Sequence, residues 1–168
     1  MPNRPLVFLD VDGVINHIEA NNMLNRLSGP LDDRARRLGV DIVQVRGRRM
    51  AVPHHIPALI RRLADTTEVW WCTTWRAKAN GELTGHLGVA PFPVLDPNGR
   101  EVGTQWKARK VEAVLGAQSN RPAFWIEDFA GAFPAVEGVE FIDTAADSHL
   151  QESHLPERLI GKGVVRDC

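Results

Sequence analysis

The sequence predicts an α/β chain organised around a mostly parallel sheet. Short apolar runs, of the kind buried on both faces of a parallel sheet, recur along the chain, and segments of helical periodicity separate them. A further observation concerns the ends of these runs. Three of them finish in carboxylates or hydroxyls, and the edge beyond the strand C-termini is where α/β sheets assemble their sites.

Leu6-Val7-Phe8-Leu9 is the first apolar strand. Residues 13–55 interrupt the alternation with Gly29-Pro30, an Arg-rich stretch at 34–37 and a hairpin-like segment at 43–52. A two-residue Gly47-Arg48 loop suits a type II′ turn, pairing Val45 with Met50 and Val43 with Val52 on one face. Arg46 then faces Arg49 on the other side, and like charges directly opposite call for water or an anion between them. Ile56, Leu59, Ile60 and Leu63 recur at helical spacing, with Pro57 near the helix start. Residues 68–72 read as the next buried strand, 75–87 as a helix, and 92–95 as a short strand before an Asp96-Pro97-Asn98-Gly99 loop. A helix over 104–116 turns Val111, Val114 and Leu115 inward. Residues 123–126 and 139–142 supply the last strands, and 151–160 a closing helix interrupted or started near Pro156. No internal repeat or low-complexity segment is present.

The chain has 168 residues, 43% hydrophobic and 24% charged, which suits a single domain over 1–168 with residues 14–53 as an insert. This composition excludes disordered, collagen-like and disulfide-scaffold classes. Cys72 and Cys168 lack zinc-finger spacing, so a reduced, cytoplasmic chain is expected. Asp10 and Asp12 break the first apolar run, which argues against a signal peptide, and no run approaches the ~18 residues of a membrane span. The net charge is −1, yet residues 1–62 carry ten Arg against six acids. The front of the chain is therefore locally basic.

Strand one ends in Asp10-Val11-Asp12-Gly13, strand two in Thr73-Thr74, and the strand at 123–126 in Glu127-Asp128. Asp10 and Asp12 lie two apart on extended chain and project to one side. Together with the later acidic pair they form an all-oxygen set suited to Mg²⁺. Gly13 permits a sharp departure of the backbone.

At these residues the chain resembles the haloacid dehalogenase-like (HAD) hydrolase superfamily. The matching elements are Val7-Phe8-Leu9-Asp10-Val11-Asp12-Gly13-Val14, then Trp70-Trp71-Cys72-Thr73, then Lys107 in Gln105-Trp106-Lys107, and finally Trp125-Ile126-Glu127-Asp128. They occur in the family's order over residues 7–128, and the wording around them is most similar to small bacterial and phage members, relatives of which occur in RNA-repair proteins. The resemblance implies a Rossmann-like three-layer sandwich with a small flap or hairpin insert and no large cap. It implies a Mg²⁺-dependent phosphatase acting through an aspartyl-phosphate: Asp10 as nucleophile, Asp12 as acid and base, Thr73 and Lys107 contacting the phosphoryl group. Asp10, the Asp12 carbonyl and Asp128 would hold the metal, with Glu127 behind them or acting through water. Thr74 stands as the alternative to Thr73, and Lys110 to Lys107. A catalytically inactive phosphate- or nucleic-acid-binding module and a phosphoryl transferase are the alternative functions.

With only about 40 residues in the insert, the site is expected to be open, the hairpin acting as a flap. Substrates would be phosphorylated small molecules, nucleotides or nucleic-acid ends, with no membrane and no stable protein partner implied. Gly13, Thr74, Arg46 and Arg49 are the candidate substrate contacts, within an Arg cluster at 34, 36, 37, 46, 48 and 49 that reads either as a polyanion site or as a solvated surface. Trp75 and Trp106 read as core packing or as platforms for a base, His17 as a residue close enough to the first motif to line the pocket, and His54-His55 as a turn leading into the helix.

Overall fold

A computed structural model describes residues 4–96, 105–117 and 120–160. Four strands, β1 (Leu6–Leu9), β4 (Glu68–Trp71), β5 (Ala123–Glu127) and β6 (Val139–Asp143), form one parallel sheet in the order β4-β1-β5-β6. The side-chain period of two sorts each strand between two helical layers. Val7, Leu9, Phe124 and Ile126 share one core cluster with α3 (Ile56–Thr66), α4 (Glu82–Leu87) and α6 (Glu157–Ile160). Leu6, Phe8, Ala123 and Trp125 share the other with α5 (Trp106–Ala117). The α/β class and the parallel sheet follow the sequence pattern.

The insert holds more than a hairpin. It contains α1 (Ile18–Leu24), α2 (Leu31–Leu38) and a two-stranded antiparallel sheet, β2 (Val40–Val45) with β3 (Arg48–Pro53). In α2, Asp32 and Asp33 lie in the first turn, Arg36 and Arg37 in the last, and Gly39 caps the end in the left-handed region; each feature favours a helix. The Arg-rich stretch is therefore helical.

The hairpin register differs from the predicted one. Val43 pairs with Met50, Gln44 with Arg49 and Val45 with Arg48, so the turn residues are Arg46 and Gly47. Both have positive φ, 50° and 77°, as a type I′ turn requires. Arg46 and Arg49 are thus not opposite one another. The change preserves face parity, so Val43, Val45, Met50 and Val52 still share one buried face. The opposite face, with Val40 and Ala51, packs on α1 and α2 through Ala20, Leu24 and Ala35.

Two further expectations change. The predicted helix over 75–87 is a 3₁₀ turn, Arg76–Ala79, followed by α4, because Gly81 takes a φ of 101° between them. The predicted strand at 92–95 is a single parallel bridge from Val94 to Trp71; Pro91 and Pro93 bring no N–H groups to a ladder. The closing segment is a 3₁₀ turn, Glu152–His154, and then α6. Pro97, Asn98, Gly99, Thr104 and Cys168, named in the sequence analysis, lie outside the described residues. Among the described residues no helix is long and apolar enough to cross a membrane.

Candidate functional site

The sheet order places a switch point at β1, whose neighbours β4 and β5 lie on opposite sides. Leu9 is level with both Trp71 and Ile126, so the three strands finish together. The Asp10 N–H donates to the Ile126 carbonyl (3.1 Å), and the Cys72 N–H to the Leu9 carbonyl (2.9 Å). This register sets Asp10 beside Glu127 on one side and the Cys72-Thr73 turn on the other.

Lys107, in the first turn of α5, completes a buried ionic centre. Its Nζ donates to Asp10 Oδ2 at 2.9 Å and to Glu127 Oε2 at 2.6 Å. Lys107 is 1% exposed, Glu127 2% and Asp10 6%. Burial alone would push the lysine down; the two carboxylates outweigh it and hold the ammonium well above its ordinary value. Burial, reinforced by the charge of Asp10, raises the Glu127 carboxyl against the opposing pull of Lys107. Burial also raises the half-buried Asp128.

Carboxylate oxygens of Asp10, Glu127 and Asp128 lie within 4.8 Å of one another. An all-oxygen donor set of this kind fits a hard divalent cation better than a soft one. The Asp12 carboxylate is not part of this group. Gly13 explains how Asp128 approaches so closely: a Cβ at Gly13 would stand 2.0 Å from Asp128 Oδ2, and φ there is +71°. The Thr144 hydroxyl fixes the same turn by donating to the Gly13 carbonyl at 2.8 Å.

Asp12 is oriented from two sides. Asn16 Nδ2 donates to its Oδ1 at 2.8 Å, and the Trp75 indole N–H to its Oδ2 at 2.9 Å. Asn16 Oδ1 in turn accepts the Ala51 N–H at 3.0 Å, which ties the carboxylate to β3. Trp75 is half-buried and packs against the core with its indole N–H committed, a role between the two that the sequence leaves open. Trp106, by contrast, is wholly core.

Thr73 is fully buried, and its Oγ1 accepts the Trp75 N–H at 3.3 Å. Its hydroxyl hydrogen is not used in that bond. Thr74 is exposed and lines an open cleft of about 310 Å³ with Asp12, Arg46, Arg48, Trp75 and Lys78.

Arg46 is brought to this cleft, but Arg49 is not. The Arg49 guanidinium donates to Asn21 Oδ1 (3.2 Å) and Asn25 Oδ1 (2.6 Å) of the α1 region. Arg48, not singled out as a substrate contact from the sequence, takes the place beside the cleft, its guanidinium carbon 5.8 Å from the Trp75 ring centroid. Lys78 was not legible as a candidate at all. Lys110 lines a separate cleft with Trp70 and Val114, while Lys107 reaches the carboxylates. His17 packs its ring on His149, centroids 4.4 Å apart, and does not line the cleft.

Among known proteins, no family model, no curated protein and no solved structure matches this chain.

Proposed function

We propose that this chain is a phosphatase of the HAD type, hydrolysing phosphate monoesters through an aspartyl-phosphate with magnesium as cofactor. The observation that carries the reading is the environment of Asp10. It is a buried carboxylate held by Lys107, grouped with Glu127 and Asp128, and two residues from an Asp12 oriented by Asn16 and Trp75.

In this reading an Asp10 carboxylate oxygen attacks phosphorus, and the bond from phosphorus to the leaving oxygen breaks. Asp12 acts as the general acid that delivers a proton to that oxygen. In the second half Asp12 takes a proton from water, the water oxygen bonds to phosphorus, and the aspartyl oxygen leaves as free carboxylate. Lys107 holds Asp10 in place and offsets negative charge while the phosphoryl group approaches. Glu127 is a positioning residue that holds Lys107. Thr73 has a free O–H with which to donate to a phosphoryl oxygen. Asp10, Asp128 and the Asp12 carbonyl, with Glu127 behind them, would hold magnesium, which would supply charge neutralisation between the two anions.

The test is phosphate release from an aryl phosphate and a panel of phosphorylated nucleosides, with Mg²⁺ and with EDTA. Release is expected to require Mg²⁺ and to vanish in Asp10→Asn while the fold is kept. Near-wild-type turnover in that variant refutes the nucleophile assignment. Appearance of the phosphate on an added alcohol instead of water would identify a transferase.

A further inference from the structure

We infer that the substrate's leaving group carries a second phosphate, read by Arg46 and Arg48 at the hairpin tip together with Lys78. The inference rests on the phosphatase reading and names the substrate class of that site. The cleft beside Asp12 presents three cations against one carboxylate. The transferred phosphoryl group has no need of them: its partners in the proposed reaction are Asp10, Lys107 and Thr73, all buried and none in the cleft wall. Asp12 does stand in that wall. As the proton donor to the leaving oxygen it sets the direction of the reaction, so the leaving group occupies the cleft.

The tip is built rather than merely basic. Of the seven arginines in the insert, Arg34, Arg36, Arg37 and Arg49 are engaged with backbone or side-chain partners, and Arg26 lines a separate cleft with Glu19 and Asp128. Arg48 and Arg46 instead face the cleft. β3 alternation puts Arg48 on the same face as Met50 and Val52, toward the sheet, and Arg49 on the face toward α1. Arg46 holds a φ of 50°, a left-handed conformation in which Asn or Gly would sit with less strain. Two guanidiniums lining one cleft suit a phosphate, and the half-buried Trp75 ring lines the same cleft. The ligand chemistry is a phosphate monoester whose leaving group carries a second phosphate. A nucleoside 3′,5′-bisphosphate and the phosphorylated end of an oligonucleotide both supply it. The second phosphate does not react and departs with the product.

The experiment compares kcat/KM for an aryl phosphate, a nucleoside 5′-monophosphate, a nucleoside 3′,5′-bisphosphate and end-phosphorylated oligonucleotides. The bisphosphate is expected to exceed the monophosphate at least tenfold. That ratio should fall about tenfold in Arg46→Asn/Arg48→Gln, where Asn tolerates the left-handed turn, and should hold in Arg36→Gln, which removes a charge from α2. Preference for the oligonucleotide over the bisphosphate would identify a strand end; the reverse, a free nucleotide. Equal use of mono- and bisphosphate, an unchanged ratio in the double variant, or an equal fall in Arg36→Gln overturns the inference and leaves the phosphatase reading standing. If no compound is hydrolysed, the phosphatase reading fails instead. Calorimetric titration of the bisphosphate then decides: binding lost in the double variant keeps the two-phosphate cleft, and no binding to the wild type overturns it.

Discussion

Replacing Lys107 by Met removes the only ammonium among the described residues that bonds to both Asp10 and Glu127, and does so with little change in side-chain volume. The two carboxylates remain, with side chains 9% and 2% exposed. Breaking a buried ion pair by deleting one partner costs about 3–5 kcal/mol, because the charge left behind is neither hydrated nor compensated. For a chain of this length that corresponds to a fall in Tm of roughly 6–20 °C. The cost also depends on pH, and the sign follows from Glu127. Its carboxyl is already raised by burial and by Asp10, and loss of Lys107 removes the opposing pull. Stability of the variant is therefore lost as pH rises above the ordinary carboxyl value of 4.5, since the unfolded chain ionises there and the folded one resists.

A second substitution separates this electrostatic argument from simple loss of packing. In Lys107→Met/Glu127→Gln one of the two stranded charges is gone, and the remaining cost falls to that of lost hydrogen bonds, about 1–3 kcal/mol. The double variant is expected to be more stable than the single one and still without turnover. The assay is urea unfolding in EDTA at pH 6 and pH 8, followed by tryptophan fluorescence. A loss below about 1 kcal/mol in the single variant, or a double variant no more stable than the single, refutes the buried triad.

Gly13→Ala places a methyl 2.0 Å from Asp128 Oδ2 and 2.4 Å from its Cβ in a left-handed backbone; a loss of about 2–4 kcal/mol is expected, read as a shift in the urea midpoint. An unchanged midpoint would contradict the close approach of Asp128. Trp75→Phe keeps the ring but deletes the N–H donated to Asp12, and kcat is expected to fall about 3–10-fold, as loss of about one hydrogen bond implies; equal kcat would show that Asp12 needs no such orientation. Magnesium at a hundred times its Kd should stabilise the wild type by about 2.7 kcal/mol and Asp128→Asn by less, measured by thermal unfolding; equal shifts would remove Asp128 from the metal site. Burial lowers the pKa of both His17 and His149, whose rings touch. The unfolded chain therefore binds protons near pH 6.5 that the native chain does not, and stability falls as pH drops through 6.5. In His17→Asn the change between pH 7.5 and 5.5 should be smaller; an identical slope would sink the idea.

Where the sequence spoke clearly, one physical term dominated. Val7, Phe8 and Leu9, or Phe124, Trp125 and Ile126, leave little choice except a strand covered on both faces, and the polar residues that follow must emerge at one edge. That logic located Asp10, Thr73, Glu127 and Asp128, and geometry then favoured Lys107 over Lys110. Where two local rules competed, the reading slipped. Gly47 first in the loop suggested a type II′ turn, whereas the chain accepts positive φ at Arg46 to make a type I′ turn. That slip hid Arg48 and promoted Arg49. The helix α2 carries only one buried residue, Ala35, so hydrophobic periodicity missed it; its signal lay in Pro30, the Asp32-Asp33 and Arg36-Arg37 polarity and Gly39. Asn16 follows the first motif but had no role assigned from the sequence. It matters because it bridges Asp12 to the backbone of β3, a contact that no linear spacing announces.

The same alternation bears on whether the hairpin acts as a flap. Val43, Val45, Met50 and Val52 belong to the cluster that also contains Val7, Leu9 and Trp71. Lifting the hairpin away would expose four buried side chains, at a cost of roughly 6–10 kcal/mol from transfer alone. That approaches the whole stability of an ordinary domain. The Asn16–Ala51 and His17–Ala51 hydrogen bonds would break as well. The hairpin is therefore a fixed wall of the cleft, and in the proposed reading selection among substrates would fall to the exposed side chains at its tip. Under that proposal, a fixed wall that bears Arg46 and Arg48 would read the leaving group at a set distance from the reacting phosphorus. A mobile flap with the same residues could not.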